Sequence, residues 1–191
     1  MYAEAPDPWG FTSRWYERRK YALTLAALPR ERYRRGFEAG CSIGVLTALL
    51  AERCDELLAC DVAPAAVAAA KDRVAPYDDV EVIELAVPAA WPDGRFDLVV
   101  VSEVGYYLSP DDLELLVTRC VGCLEPGGSL VAAHWRHPVA DYPLRGDDVH
   151  ATFGGRPELH RLARYTDADL LLEVFETEPS KSVAERSGLW P

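Results

Sequence analysis

Apolar residues recur along the chain with two spacings, one typical of helices and one of buried strands. From residue 14 to 28 the spacing is helical, carried by Trp15, Ala22, Leu25, Ala26 and Leu28, and Pro29 marks the end. The same reasoning predicts helices at residues 43–53, 64–74 and 110–123, and strands at residues 36–39, 56–60, 80–85, 96–101 and 129–134. Strands that alternate with helices predict a parallel sheet joined by right-handed crossovers.

The pattern changes after residue 134. The segment HWRHPVADYPLRGDDVH, residues 134–150, is polar and contains proline, so it predicts a long loop of the kind that is usually functional or disordered. A helix is predicted at about residues 155–165. Two further strands, at about residues 170–176 and 182–189, would complete a sheet of seven.

Composition and charge narrow the class of protein. The 191 residues suit one domain, and a formal net charge of −11 disfavours a nucleic-acid partner. The basic run at residues 30–35 is interpreted as a solvated helix end. No apolar run approaches the length of a membrane span and no secretory signal is visible, so no membrane partner and a cytoplasmic location are expected.

The five cysteines are Cys41, Cys54, Cys60, Cys120 and Cys123. Their odd number and their apolar surroundings predict reduced thiols. Cys120 and Cys123 have C-x-x-C spacing but no second pair, so we predict core packing there and no metal site.

The stretch GFEAGCSIGVLTALL, residues 36–50, places a glycine loop between a predicted strand and a predicted helix, which is where α/β sheets bind ligands. The loop has Gly40 and Gly44 but lacks the G-x-G-x-x-G pattern of dinucleotide sites. Glu38 precedes it, and Asp61 ends the next strand, where its carboxylate could accept from ribose hydroxyls. An acidic residue at position 38 favours a ligand with positive charge over a pyrophosphate.

Groups able to move a proton cluster at predicted strand ends and in the long loop. They are Glu103, Tyr106, Tyr107, His134, His137, Asp141, Tyr142 and His150. Each could instead be a structural or solvated residue. Trp9, Trp15 and Tyr16 are either core aromatics or part of an N-terminal lid.

Four segments follow one another as in a known superfamily: FEAGCSIG, LLACDVAPAAVAAA, GRFDLVVVSEVGYYLSPDDLELLV and LEPGGSLVAAHW. In this combination the chain resembles class I S-adenosylmethionine-dependent methyltransferases. The opening DPWGF…WYERRKY, the SEVGYYL loop and AHWRHPVADYPLRGDDVH resemble the nodulation protein S (NodS) type of N-methyltransferase within that superfamily.

The resemblance implies a single-domain, Rossmann-like α/β fold: a doubly wound, mostly parallel seven-stranded sheet with helices on both faces. Residues 1–35 would form an N-terminal helical lid segment and residues 36–191 the methyltransferase domain. The implied cofactor is S-adenosyl-L-methionine, with S-adenosyl-L-homocysteine as product. Its implied binding residues are Tyr16, Glu38, Gly40, Cys41, Gly44, Asp61, Val62, Ala86 and Ser102.

The resemblance places Glu103 at the methyl-transfer site, and from the cluster of proton-moving groups we take Glu103, His137 and Tyr106 as candidate catalytic residues. The candidate acceptor-binding residues are Trp9, Tyr107, His134, Asp141 and Tyr142. NodS-like proteins methylate the free amine of a deacetylated chitooligosaccharide, so the resemblance implies a small-molecule acceptor, possibly an amino sugar. Two departures matter: Ser42 stands where the family often has glycine, which is tolerable if that position needs no positive φ, and Ala86 stands where many members have an acidic residue.

Other interpretations remain open at this point. The acceptor could be a hydroxyl group of another small metabolite. A nicotinamide-dependent oxidoreductase is disfavoured by the incomplete dinucleotide pattern, and a non-catalytic cofactor-binding protein by the presence of Glu38, Asp61 and Glu103 together.

Overall fold

The computed structural model describes residue 7, residues 10–179 and residues 181–190. Within them lies a seven-stranded sheet of order β3-β2-β1-β4-β5-β7-β6, in which β1 to β5 are parallel and β7 is antiparallel to both its neighbours. The predicted α/β fold with a mostly parallel sheet is confirmed. The strands are β1 (Tyr33–Ala39), β2 (Cys54–Asp61), β3 (Val80–Glu84), β4 (Phe96–Ser102), β5 (Leu124–Trp135), β6 (His160–Thr166) and β7 (Leu170–Glu176).

The helices among the described residues are α1 (Trp15–Ala27), α2 (Val45–Ala51), α3 (Pro64–Val74), α4 (Pro110–Cys123), α5 (Gly146–Gly154) and α6 (Val183–Arg186). A 3₁₀ turn, Gly105–Tyr107, separates β4 from α4. Local chemistry explains where α4 begins: Ser109 accepts a hydrogen bond from the Asp112 N–H at 3.1 Å, and Pro110 occupies the first turn.

Helices cover both faces of the sheet. On one face Leu116 of α4 and Phe153 of α5 pack in a cluster with Val99 of β4. On the other, Leu50 of α2 packs with Leu98, and α1 and α3 lie on the same side. All residues of β4 are buried, which explains the nearly continuous apolar run of that strand.

Two predictions after residue 150 are wrong. The helix predicted at residues 155–165 is replaced by α5, which begins inside the predicted loop, and by β6, which carries charged residues because it is the edge strand. The strand predicted at residues 182–189 is the short helix α6. Ser182 and Glu185 form a capping box there, a local signal that outweighs the apolar residues downstream.

The basic run at residues 30–35 is not a helix end. Tyr33 begins β1 and is buried, so that strand starts earlier than predicted. The backbone N–H groups of Arg34 and Arg35 donate to the Asp97 carboxylate at 2.9 and 2.8 Å. This contact holds the start of β1 beside β4.

Helix α1 has the predicted bounds within a residue but buries a different face. Trp15 is 68% exposed, whereas Glu17, Lys20, Tyr21 and Thr24 are buried. A stripe of polar residues therefore faces the protein. The reason is that this face of α1 forms one wall of the pocket described below.

All five cysteines are free and buried, as predicted. Cys120 and Cys123 belong to α4 and pack into the core, where burial raises the pKa of both thiols. Across the described part of the chain, no helix is both long and apolar enough to cross a membrane.

Candidate functional site

A cavity of about 700 Å³ opens at the carboxyl ends of the central strands. Strand order reverses between β1 and β4, and this switch point is where open α/β sheets bind ligands. Residues at the ends of β1, β2, β4 and β5 line the cavity, and α1 closes one side. The sheet therefore brings together side chains that lie far apart in the sequence.

The loop from β1 to α2 forms the floor of the cavity. Gly40 and Gly44 have φ angles of +78° and +77°, and a Cβ on Gly40 would lie 2.2 Å from Cγ2 of Val104. Ser42 has a φ of +50°, so the loop does require a left-handed conformation at the position where the family often has glycine. Its N–H donates to Asp61 at 2.9 Å, which helps to hold that conformation.

Glu38 lies at the end of β1 with 2% of its surface exposed, and it lines the cavity. One of its carboxylate oxygens, Oε2, has no hydrogen-bond partner among the described residues. Burial raises the pKa of Glu38 to about 7. A buried carboxylate oxygen without a partner is unfavourable, so this position is suited to a cationic or hydrogen-bond-donating ligand.

Asp61, at the end of β2, supports the loop as well as lining the cavity. Its Oδ2 accepts from the Ser42 N–H and its Oδ1 accepts from the Ala63 N–H, both at 2.9 Å. A carboxylate oxygen has two lone pairs, so each oxygen can accept one further bond. The side chain can therefore hold the loop and bind a hydroxyl-bearing ligand at once.

Glu103 follows β4 and has a φ of +60°, which is rare for a residue with a side chain. Three donors hold its carboxylate: Lys20 Nζ at 3.2 Å, the Trp135 N–H at 3.2 Å and the hydroxyl of Tyr106. Lys20 is itself buried and also contacts Glu17 at 2.8 Å. A lysine between two carboxylates thus joins α1 to the end of β4.

Tyrosine and tryptophan rings surround the Glu103 carboxylate. Tyr106 stacks on Tyr142 with ring centroids 5.0 Å apart, and the hydroxyls of Tyr107 and Tyr142 lie 2.9 Å apart. Tyr16 contacts Trp135 edge to face at 4.8 Å. Burial, together with the charge of Glu103, raises the pKa of Tyr106, so its hydroxyl stays protonated and donates to that carboxylate.

The cavity brings together most of the residues predicted for a site. Those that line it are Tyr16, Glu38, Gly40, Cys41, Asp61, Val62, Ser102, Glu103, Tyr106, Tyr107 and Tyr142. The hydroxyl of Tyr16 is buried and has no hydrogen-bond partner among the described residues, so the wall offers a donor as well as the Glu38 acceptor.

The other predicted residues lie elsewhere. Gly44 packs against Ala70 of α3 behind the loop, and Ala86 is exposed between the lining residues Leu85 and Val87. His134 is fully buried behind the cavity. His137 is exposed and contacts Asp169 at 2.7 Å, and Asp141 is exposed in the loop before α5. Trp9 lies outside the described residues.

Several lining residues were absent from the predicted site. They include Glu17 and Tyr21 of α1, and Val104, Trp135 and Asp169. A signal for the first two was present: with Lys20 and Thr24 they recur at helical spacing and mark one face of α1. Trp135 and Asp169 carry no such local signal, because β5 and the turn before β7 meet only in the folded sheet.

Comparison with known proteins identifies a family of similar sequences. A family model described as nodulation protein S (NodS) matches residues 2–141. The curated nodulation protein S of Rhizobium tropici is 32% identical over 129 residues, which is 66% of this chain and 54% of that protein. The corresponding Sinorhizobium fredii protein is 31% identical over 129 residues, and 60% of it is covered. The chain thus spans little more than half the length of these curated relatives.

Two solved structures extend the match. The structure of a candidate methyltransferase from Pseudomonas syringae is 47% identical, with 85% of this chain and 99% of that chain covered and a TM-score of 0.77. The N-methyltransferase NodS of Bradyrhizobium japonicum WM9, in complex with S-adenosyl-L-homocysteine, is 26% identical, with 89% and 91% covered and a TM-score of 0.82. On the family match across most of its length, this chain belongs to the nodulation protein S family.

Proposed function

We propose that the chain is an S-adenosylmethionine-dependent methyltransferase that acts on an amine. The observation that carries the proposal is Glu38: a buried carboxylate in the cavity wall with one oxygen lacking a partner among the described residues. Membership of the NodS family, with a relative solved in complex with S-adenosyl-L-homocysteine, supports the same cofactor.

The residues around the cavity suit that cofactor. Its α-ammonium group would donate to Glu38 Oε2, and its carboxylate would accept from the unpartnered Tyr16 hydroxyl. Asp61 would use its remaining lone pairs for the ribose hydroxyls, beside Val62 at the cavity edge. The close approach of the loop backbone requires glycine at Gly40, because Val104 leaves no room for a Cβ.

When bound, the cofactor supplies a sulfonium methyl group to a nucleophile in line with the breaking carbon–sulfur bond. The amine must reach that geometry without a proton on its lone pair. Tyr106 donates its hydroxyl hydrogen to Glu103, so its oxygen is free to accept an N–H of the acceptor. As the nitrogen gains the methyl group it loses a proton to Tyr106, and the Tyr106 proton moves to Glu103.

We propose an amino sugar as the acceptor. The faces of Tyr107, Tyr142 and Trp135 at the cavity give flat apolar surfaces on which a sugar ring can stack. The Glu103 carboxylate among them favours an amine over a neutral hydroxyl. The solved NodS relative from Bradyrhizobium japonicum WM9 is an N-methyltransferase, which agrees with nitrogen as the methylated atom.

Mass spectrometry of reaction products tests the proposal. We expect the protein with S-adenosylmethionine to add one methyl group to a deacetylated chitin disaccharide, and to add none to the fully N-acetylated form, which offers only hydroxyls and amides. Methylation of the acetylated disaccharide would indicate O-methylation. No methylation of any amine in a panel of amino sugars and small polyamines would contradict the proposal.

Glu103→Gln separates a catalytic role from a binding role. It keeps the size of the side chain but removes the proton acceptor, so we expect the methylation rate to fall by about 100-fold or more. Affinity for S-adenosyl-L-homocysteine should change little, because the groups that donate to Glu103 belong to Lys20, Tyr106 and Trp135, none of which is assigned to that ligand. An unchanged rate would show that Glu103 is not the proton acceptor.

A further inference from the structure

Behind the cavity lies a buried chain of three side chains, His134 of β5, His150 of α5 and Glu173 of β7. All three are nearly or fully buried, and none lines the cavity. His134 Nδ1 lies 3.2 Å from His150 Nε2, and His150 Nδ1 lies 2.8 Å from Glu173 Oε2. The other oxygen of Glu173 accepts from Arg161 at 2.9 Å, so the chain ends at the protein surface.

The hydrogen bonds fix which nitrogen of each histidine carries its proton. The Gly105 N–H donates to His134 Nε2 at 3.2 Å, so that nitrogen is an acceptor and the proton lies on Nδ1. That proton is donated to His150 Nε2, which places the His150 proton on Nδ1, facing Glu173. Burial, together with the nearby Lys20 charge, keeps the pKa of His134 well below its usual value, consistent with a neutral ring.

Three consecutive residues of β5 hold the segment that carries Glu103 and Tyr106. The Ala133 carbonyl accepts from the Glu103 N–H at 2.9 Å, the His134 ring accepts from the Gly105 N–H, and the Trp135 N–H donates to the Glu103 carboxylate. Glu103 has a left-handed backbone conformation, which persists only when neighbouring contacts enforce it.

Helix α5 supports the same segment from the other side. A Cβ on Gly105 would lie 2.5 Å from Val149 of α5, so the turn is pressed closely against that helix. The Tyr106 ring meets the His134 ring edge to face, with centroids 5.6 Å apart. The turn is therefore confined between β5 and α5, and His134 contacts both its backbone and its tyrosine.

We propose that His134, fixed by His150 and Glu173, is a positioning residue. It holds the Gly105–Tyr107 turn so that the Tyr106 hydroxyl keeps its hydrogen bond to the Glu103 carboxylate. This inference rests on the proposed function, because the positioned pair is the proton-accepting pair assigned there. The chain does not carry protons out of the site: its inner end is a backbone N–H, which gives up no proton during turnover.

Three variants test the role. His134→Leu removes the acceptor at similar size, His134→Gln restores an oxygen that can take the place of Nε2, and His160→Gln alters an exposed histidine of β6 as a control. In His134→Leu we expect the Gly105 amide to exchange its hydrogen about tenfold faster. We expect kcat with the deacetylated chitin disaccharide to fall about 10- to 100-fold, with affinity for S-adenosyl-L-homocysteine within about threefold of wild type.

His134→Gln should recover most of the amide protection and of kcat, and His160→Gln should match wild type. Unchanged Gly105 exchange in His134→Leu, or equal losses in the leucine and glutamine variants, would overturn the proposal. If wild-type protein methylates no amine, the proposed function fails, and the exchange measurement still decides whether His134 holds the turn.

A measurement on wild-type protein guards against variants that do not fold. Nitrogen-15 spectra should report both buried histidines as neutral rings protonated at Nδ1. A His134 protonated at Nε2 could not accept from Gly105 and would overturn the proposal without any substitution.

Discussion

At the scale of single residues, the site concentrates backbone conformations that side chains rarely adopt. Ser42 and Glu103 have positive φ angles, and Gly40 and Gly44 flank Ser42 with the same sign. Such conformations cluster where a fold must aim a polar group at a ligand. The Ser42 conformation presents its N–H to Asp61, and that of Glu103 directs its carboxylate toward Tyr106 and Lys20.

Gly40→Ala tests the close approach at the loop. The alanine would have to adopt a left-handed backbone conformation, and its Cβ would collide with Val104. We therefore expect a loss of about 1–3 kcal/mol in the free energy of unfolding, with weaker binding of S-adenosyl-L-homocysteine. Urea denaturation and calorimetry measure the two effects.

The matched control is Gly122→Ala in α4, where a Cβ would meet nothing within 4 Å. Because alanine favours a helix interior, this variant should gain about 0.5–1 kcal/mol. Equal stability of the two variants would show that the loop tolerates a side chain at position 40.

The raised pKa of Glu38 makes the stability of the ligand-free protein depend on pH. Burial raises this pKa from 4.5 to about 7, so between those values the folded state binds a proton that the unfolded state has released. The Glu38 contribution to the free energy of unfolding therefore falls as pH rises through this range, by roughly 3 kcal/mol in all.

Glu38→Gln removes the titrating group. As pH rises across that range, the free energy of unfolding of the wild type should therefore fall relative to that of the variant. Denaturation at a series of pH values measures it. Binding of S-adenosyl-L-homocysteine near pH 6 should release a proton, seen as a dependence of the binding heat on the buffer. A pH-independent difference would show that Glu38 is ionised throughout.

At the scale of elements, α1 is the clearest case of a helix whose existence but not its orientation was predictable. Its bounds follow from spacing and Pro29, but its apolar residues, including Trp15, do not mark the buried face. The buried face carries Glu17 and Lys20, and Lys20 is paired there with both Glu17 and Glu103. A role for α1 as a lid that opens and closes stays a prediction.

Lys20→Met tests how α1 is held. Removal of the ammonium group leaves the buried Glu17 and the partly buried Glu103 without their shared partner, and we expect a loss of about 3–5 kcal/mol in the free energy of unfolding. Denaturant unfolding measures it.

Arg32→Met is the control for Lys20→Met, because it removes one member of an ion pair with Asp55 in which both side chains are 55% exposed. A change below about 1 kcal/mol is expected there. If the free energy of unfolding falls by the same small amount in both variants, the buried lysine does not anchor α1.

At the scale of the whole molecule, the strands and helices up to residue 135 were predictable because their signals are local. Apolar runs such as residues 96–101, and turn residues such as Ser109 and Pro110, do not depend on distant contacts. The strand predicted at residues 170–176 coincides with β7, but β6 was not predictable in the same way. The edge strand β6 mixes arginines with apolar residues, and its pairing with β7 is decided in the folded sheet.

The residues of the candidate site also differ in whether a local sequence signal predicts them. Glu38, Asp61 and Glu103 were predictable because each ends a strand of a parallel sheet, and such ends meet at one edge. His134 also lies at a strand end, but its side chain points into the protein toward His150 and Glu173. The packing of α5 and β7 around β5 encloses His134, and the first part of α5, residues 146–150, was predicted as loop.

The cavity at the sheet's switch point is suited to a single cationic nucleoside rather than to a dinucleotide. Isothermal titration calorimetry of the full chain with S-adenosyl-L-homocysteine and, separately, with NADH tests it most directly. We predict saturable binding of S-adenosyl-L-homocysteine at one site per chain, weakened in Glu38→Gln, and no binding of NADH. Saturable binding of NADH with none of S-adenosyl-L-homocysteine would contradict the claim.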